Sequence, residues 1–303
     1  MELREIEYLL TIHETGSIRG AAERLMIAQP SLSQFLSQYE SELGTKLFLR
    51  TSRGVVPTPA GEIFLADAQK IRNIYHSSME QMHDISKMKT GTVRLGISTF
   101  RAQSLLPPAL KKFYELYPDV SVQITELDSI LLENSILDGS LDLGVVAFPL
   151  RKLKNDANVE LLINDEVVVA AKKDHPVHRY VHTDADGRTW VDFKDAARFE
   201  FILGDVNTRL GHIARQLFSA CKKAPIVKNE NISAALALAM ARRGLGLCLT
   251  YASVTIARGS TEYLSIGRDG VYLELALAFP PSGYRSKATR ELARIMHEEI
   301  GEL

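Results

Sequence analysis

Polar but uncharged side chains recur along one face of the segment that follows residue 28. Gln and Ser both donate and accept hydrogen bonds, so they can pair with base edges in the major groove of DNA. A solvated face of an ordinary three-helix domain is the plain alternative, because most amphipathic helices carry one. The residues on this face are Ser31, Ser33, Gln34, Ser37, Gln38 and Ser41.

Two short helices joined by a tight turn would present this face. Ser17 is a good N-cap, and the apolar residues after it predict a helix that ends before a turn at residues 26–28. Gln29 and Pro30 begin the second helix, since a proline in the first turn loses no hydrogen bond, and Gly44 ends it. Its buried stripe is predicted to comprise Leu32, Phe35, Leu36, Tyr39 and Leu43.

A short basic hairpin follows the second helix. Arg50 and Arg53 lie near its predicted tip, between two apolar pairs, where they can meet phosphates or the minor groove. Over residues 1–60, however, six Lys and Arg oppose seven Asp and Glu, a net charge of −1. Counterion release is therefore modest for each subunit, and tight binding calls for several subunits at once.

The spacing of these signals resembles the LysR-type transcriptional regulators. The resemblance runs without a gap over about 60 residues, through AAERLMIAQPSLS at 21–33, ELGTKLFLR at 42–50 and TPAG at 58–61. Family members often have Arg where this chain has Gln34. The resemblance and the polar face together imply a DNA-reading set of Gln29, Pro30, Ser31, Ser33, Gln34 and Gln38, with Arg50 and Arg53 in the wing.

A long helix is predicted after Thr58 and Pro59. Its apolar seam extends over roughly 30 residues, or about 45 Å, and a seam of this kind favours pairing between two chains over packing on the chain's own C-terminal part. The family resemblance implies a homodimer through this helix and a homotetramer overall, on an interrupted-palindrome promoter site. The seam comprises Phe64, Ala68, Ile71, Tyr75, Ser78, Met82 and Ile85.

Strands and helices alternate from residue 92 onward, which predicts an α/β domain with mostly parallel sheets. The expected organisation is a winged helix-turn-helix at 1–60, a linker helix at 61–89 and an effector-binding domain at 90–303. The resemblance implies a two-lobed α/β fold like that of periplasmic solute-binding proteins. Lobe one would take in about 92–163 and 268–303, and lobe two about 164–267.

Two turns are candidates to hold a small anionic effector, such as a carboxylate, at the ends of strands. Ser98, Thr99 and Arg101 follow the first strand of lobe one, and Asn207 and Thr208 stand in the same relation to a helix of lobe two. The alternative is that Ser98 and Thr208 are plain N-caps and Arg101 is a surface residue. Family analogy adds two residues to the cleft, Phe148 and Asn231.

Other chemistry is less well supported by the residues. His175, His178 and His182 crowd one stretch, but no cysteine or carboxylate pair completes a metal site. The two cysteines, Cys221 and Cys248, leave open a redox-sensing alternative in which the DNA module is vestigial. Phosphate-binding loops, nucleophile elbows and dinucleotide fingerprints are absent, so we expect no enzyme and no cofactor.

The N-terminus lacks the basic start and apolar run of a signal peptide, and the longest apolar stretch is too short to span a membrane. We therefore expect a cytoplasmic transcriptional regulator that binds double-stranded promoter DNA, a small-molecule effector and RNA polymerase. The effector, the target genes and the choice between activation and repression cannot be read from these residues.

Overall fold

The computed structural model describes residues 2–51, 54–85, 90–148, 158–254, 260–281 and 284–301. The chain forms two compact units, Met1–Met88 with Asp138–Ser140, and Lys89–Leu137 with Leu141–Leu303. The described helices include none that is long and apolar enough to cross a membrane.

The N-terminal unit is a small helical domain with a hairpin and one long helix. Ser17 caps the second helix by accepting a hydrogen bond from the N–H of Gly20, as predicted. The following turn places Met26 in the left-handed region at φ 54°. The elements are α1 (Leu3–Thr15), α2 (Ile18–Leu25), α3 (Gln29–Leu43), β1 (Phe48–Thr51), β2 (Gly54–Pro57) and α4 (Pro59–Ile85).

The predicted stripe of α3 is only partly correct. Leu32 and Leu36 are buried, whereas Leu43 is 42% exposed because α3 ends there and Gly44 turns the chain away. Glu40 takes a buried place in the stripe instead.

The second unit contains seventeen helices and strands among its described residues, besides two short 3-10 helices at Pro176–Tyr180 and Ala252–Val254. They are β3 (Gly91–Ile97), α5 (Thr99–Leu116), β4 (Val120–Glu126), α6 (Ser129–Leu137), β5 (Leu143–Ala147), β6 (Asn158–Lys172), β7 (Val181–Thr183), β8 (Thr189–Val191), α7 (Phe193–Ala196), β9 (Glu200–Gly204), α8 (Arg209–Ala220), β10 (Ile226–Ile232), α9 (Ala234–Arg242), β11 (Cys248–Tyr251), β12 (Thr261–Ile266), β13 (Val271–Phe279) and α10 (Lys287–Gly301).

Two hydrophobic cores define two lobes in this unit. One core takes side chains from β3, α5, β5, the end of β13 and α10, and we call this part lobe one. The other takes side chains from β9, α8, β11 and β12, and we call it lobe two. The strand β6 serves both, since Leu162 packs in the first core and Val167 in the second.

The sheet is mixed, so the expectation of mostly parallel sheets is wrong. Its strand order is β4-β3-β5-β13-β6-β12-β8-β7, with β11 also on β6. Pairs β3–β4 and β3–β5 are parallel, but β6 pairs antiparallel with β11, β12 and β13. The two strands β6 and β13 run from one lobe into the other, and such a crossing pair needs no helix between its members.

Two elements differ in length from the sequence-based prediction. A helix start near residue 105 would place Pro107 and Pro108 in the first turn, where they cost little. The structure instead starts α5 at Thr99 and keeps both prolines inside the helix. Similarly, β6 extends over 15 residues, whereas the apolar run predicts a strand only at 166–171.

Candidate functional site

The polar face of α3 is open to solvent. Gln29, Pro30, Ser31 and Gln34 are exposed, and the N-cap Ala28 supplies no side-chain hydrogen bond to the first turn. The amide of Gln38, also exposed, donates to Glu42 Oε1 at 3.0 Å. The first turn and the Gln34 amide therefore present polar groups to solvent.

The hairpin lies beside this helix. Arg50 of β1 is exposed, and its Nη2 donates to Ser33 Oγ of α3 at 3.3 Å. The strands β1 and β2 pair antiparallel and form the predicted wing. Their register places Phe48 opposite Pro57 and Thr51 opposite Gly54. Arg53, the second predicted wing contact, lies outside the described residues.

A buried carboxylate fixes the hairpin to α3. Glu40 Oε1 accepts the backbone N–H groups of Leu47 and Phe48 at 2.9 and 3.0 Å. Glu40 Oε2 accepts from Lys46 Nζ at 2.7 Å. This role of Glu40 was not predicted, although a Glu next to the apolar stripe of α3 was a visible signal.

The long helix α4 begins as predicted, with the Thr58 hydroxyl accepting the N–H of Gly61 at 2.9 Å. Of the predicted seam, Ala68 is buried and Phe64 is half-buried, while Ser78 is exposed and the side chain of Ile85 lies outside the described residues. The large apolar residues left exposed along the described part of α4 are Ile63, Ile71, Ile74, Tyr75, Met79 and Met82.

An apolar groove continues this exposed stripe. Its volume is about 420 Å³, and its walls come from α3, α4 and the segment between α3 and β1. Leu43, which is exposed contrary to prediction, forms part of the lining together with Ile63 and Ile71.

In the second unit, the turn after β3 carries the first predicted effector contacts. Ser98 is the N-cap residue of α5 by its backbone angles, yet its hydroxyl makes no capping hydrogen bond. Ser98 is half-buried and Thr99 is exposed. The start of an 18-residue helix thus keeps a hydroxyl available beside its N-terminal N–H groups.

Arg101 has a different environment from the one that the sequence analysis expected. It is only 4% exposed, and its Nη2 lies 2.9 Å from Asp165 Oδ2 in β6. Its guanidinium carbon lies 3.6 Å from the centre of the Tyr251 ring. Because its charge is already matched, Arg101 is an ion-pair partner of β6 rather than an open anion contact or a surface residue.

The predicted residues of lobe two are exposed but mostly serve local structure. The Thr208 hydroxyl accepts the N–H of Gly211 at 3.1 Å and donates to the carbonyl of Asp205 at 2.6 Å, as a plain N-cap does. The N–H of Asn207 donates to Asp205 Oδ1 at 2.8 Å. Asn231 has a left-handed backbone with φ 57° at the end of β10.

Phe148 directly follows β5, and Arg209 contacts the last residue of that strand. Phe148 is half-buried, packs beside α6, and donates its backbone N–H to the carbonyl of Glu274 at 2.8 Å. Arg209, the first residue of α8, reaches from lobe two to the carbonyl of Ala147 in lobe one at 3.3 Å. Arg209 was not singled out in the sequence, although a cation directly after the predicted cap was a usable signal.

The three clustered histidines have separate partners. His175 Nδ1 accepts the N–H of Val177 at 3.1 Å, and the His178 ring contacts Glu262 at 3.3 Å. The ring of His182 stacks on Trp190 with centroids 4.2 Å apart. Among the described residues, no group of three or more His, Cys, Asp or Glu side chains is arranged to hold a metal ion.

The two cysteines pack in different places, one in a small apolar cluster beside α9 and the other against the core of lobe two. Cys248 is buried beside α9, and burial raises the pKa of its thiol to about 12. Cys221 is half-buried at the end of α8 and packs against the larger core.

Two family models match the chain. Residues 3–62 match the bacterial regulatory helix-turn-helix protein of the lysR family. Residues 86–301 match the LysR substrate binding domain. The chain belongs to the LysR family. It is a DNA-binding transcriptional regulator with an effector-binding domain, and not an enzyme.

This LysR-type regulator is similar to one curated protein in sequence and to two solved structures in fold. YcgK of Bacillus subtilis strain 168, an uncharacterised transcriptional regulator, is 34% identical over 174 residues, which is 57% of this chain and 53% of YcgK. A full-length OxyR variant from Pseudomonas aeruginosa has a TM-score of 0.71 at 24% identity, with 98% of this chain and 94% of that chain covered. CbnR in complex with its target DNA has a TM-score of 0.67 at 20% identity, covering 99% and 100%.

Proposed function

We propose that this LysR-type regulator binds an interrupted-palindrome promoter site and responds to a small carboxylate effector in the cleft between its lobes. RNA polymerase is the partner expected downstream. The observation that carries the effector proposal is the start of α5, where the Ser98 hydroxyl is not used as a cap. The domain division at 1–60, 61–89 and 90–303 is part of the same proposal.

Charge and backbone geometry favour an anion at the N-terminus of α5. The N-terminus of a helix carries partial positive charge, and free N–H groups bind carboxylates well. The N-terminus of the 12-residue helix α8 faces the same strand ends, since Arg209 reaches the carbonyl that ends β5. Ser98, Thr99, Asn207, Thr208 and Asn231 remain proposed contacts, and Phe148 a proposed wall of the cleft.

The DNA proposal is supported by the exposed start of α3 and by Arg50 beside it. A dimer would set two such helices on successive turns of the duplex, about 34 Å apart, which is the reason for the palindrome. CbnR, which shares the fold, forms a complex with its target DNA.

Assembly is proposed through the apolar stripe of α4. A seam of exposed Ile and Met on a 27-residue helix is typical of a coiled-coil partner surface. The groove lined by Leu43, Ile63 and Ile71 extends the same surface towards α3. Further contacts between effector domains would complete a homotetramer.

The test combines footprinting and thermal unfolding of the full chain. We expect salt-sensitive protection of two half-sites upstream of its own gene; a uniform digestion pattern would contradict the DNA proposal.

Thermal unfolding tests the effector proposal. In a panel of small carboxylates and their amides, at least one carboxylate should raise the unfolding temperature while its amide does not. Ser98→Ala should abolish that shift and Ser104→Ala, farther along α5, should keep it; equal shifts in both variants would remove Ser98 from the site.

A further inference from the structure

The first turn of α5 packs against lobe two, although the rest of the helix belongs to lobe one. Most of α5 packs in the core of lobe one. Phe100, in contrast, packs against the core of lobe two and against a smaller apolar cluster formed by β6, β9, α9 and β11. Its ring lies 6.1 Å from that of Tyr251. Arg101 covers the same Tyr251 ring. The helix end that carries Ser98 is therefore fastened to lobe two by two successive side chains.

One carboxylate joins three parts of this region. Asp165 lies in β6, where the strand passes between the two cores, and its Oδ2 pairs with Arg101 at 2.9 Å. The same carboxylate accepts the backbone N–H and the hydroxyl of Ser253, just after β11, at 3.1 and 2.8 Å. The side chains of Arg101 and Asp165 are 5% and 1% exposed. We call Arg101, Asp165 and Ser253 the clamp.

The buried ion pair of the clamp contributes little net stability. Removing two charges from water costs free energy that their attraction only partly returns, and apolar residues of equal volume often serve as well. In addition, the buried Nε of Arg101 has no hydrogen-bond partner among the described residues. A buried donor left in this state is itself destabilising, so the clamp points to a role other than stability.

We propose that Arg101 is a positioning residue, which with Asp165 holds the effector-binding turn of α5 on lobe two and passes the effector signal through the clamp. This inference rests on the effector site proposed at Ser98. It changes the expected mechanism, because β6 and β13 cannot act as a free hinge while α5 is fastened to lobe two. An effector at Ser98 then acts by shifting the turn that carries Phe100 and Arg101.

The test replaces the clamp with a neutral pair in the full chain. Arg101→Met with Asp165→Asn removes both charges and keeps an acceptor for Ser253. The matched control is Arg94→Met with Asp142→Asn, an ion pair of 2.6 Å that lies wholly within lobe one. Hydrogen exchange of β6 and β13 amides is measured without effector, and the bend of bound promoter DNA is measured alongside.

We expect the clamp variant to exchange its β6 and β13 amides at least tenfold faster than wild type and to change the DNA bend. The control should do neither, and Arg101→Lys should restore part of the wild-type behaviour. The bend is the measurement that a purely structural role would leave unchanged. Wild-type exchange and bend in the clamp variant, or equal changes in the control, would overturn the inference.

The two proposals fail in different ways. If no carboxylate shifts the unfolding temperature of the wild type, the effector proposal fails, while the exchange comparison still reports on the clamp. If a carboxylate binds and stabilises the clamp variant and wild type alike, with the same change in DNA bend, the effector site stands and the positioning role is wrong.

Discussion

Arg50 Nη2 of the wing donates a hydrogen bond to Ser33 Oγ of the recognition helix across 3.3 Å. Two residues that were each predicted to contact DNA are thus joined in the protein alone. The contact is exposed and contributes little to stability. It does, however, hold the Arg50 cation beside the exposed polar face of α3. We expect a DNA phosphate to replace Ser33 as the partner of Arg50 when the protein binds DNA.

Arg50→Ala is therefore expected to weaken binding to all DNA sequences and to lower the salt slope by about 1. Loss of one phosphate contact is the physical reason. Titrations of promoter and random duplexes at several salt concentrations give the result. Arg290→Ala, an exposed cation on α10, is the control; a slope that falls equally in both variants would speak against a wing contact.

Glu40→Ala is expected to lower the free energy of unfolding of the N-terminal unit by about 3 kcal/mol, because two buried N–H groups lose a charged acceptor. Glu40→Gln keeps an oxygen and should lose only about 1 kcal/mol. Denaturant unfolding of the full chain measures both. Glu42→Ala, at an exposed site two residues on, should change the free energy by less than about 0.5 kcal/mol; a similar loss in this variant would argue against the role of Glu40.

Ile74→Lys is expected to shift the chain towards monomers, since it places a charge in the exposed apolar stripe of α4. Sedimentation at several protein concentrations reports the change. Ala66→Lys adds the same charge elsewhere on α4, at an exposed site off the predicted seam, and should leave assembly intact. If Ile74→Lys assembles like wild type, the stripe is not the contact between subunits.

Cys248 should resist alkylation in the folded protein. With burial raising the pKa of its thiol to about 12, only about one molecule in ten thousand carries the reactive thiolate at pH 8. Iodoacetamide should label the half-buried Cys221 first and Cys248 only on unfolding, as peptide mass analysis can show. Rapid native labelling of Cys248, or a disulfide between the two after peroxide treatment, would revive the redox alternative.

His175 should make stability fall in mild acid. Burial, with the neighbouring His178, lowers the pKa of its imidazole below the usual value. Below a pH of about 6.5 the unfolded chain gains a proton that the folded chain does not, so the free energy of unfolding falls with pH until the folded pKa is reached. His175→Asn keeps an acceptor for Val177 and should flatten this decline in unfolding measured from pH 7 to 5. His13→Asn, at an exposed site, controls for imidazole loss; an unchanged slope in His175→Asn would refute the assignment.

The sequence predicts best where the cause is local. The cap at Ser17, the proline in the first turn of α3 and the stop at Gly44 each act within one turn, and the structure has them as predicted. Arg101 shows the opposite case. Its partner Asp165 lies 64 residues away, and nothing near either residue indicates that they meet. The length of β6 was missed for a related reason, since its first half, NVELLIND, has no regular apolar pattern and is held by pairing with β13.

The path of β6 also has a thermodynamic consequence. A single 15-residue strand supplies Leu162 to one core and Val167 to the other, so neither lobe can lose its strand without disturbing its neighbour. The two lobes should therefore melt as one cooperative unit. A destabilising substitution in either lobe should then lower the free energy of unfolding of the whole effector domain. Partly unfolded, aggregation-prone forms of the domain should be rarely populated.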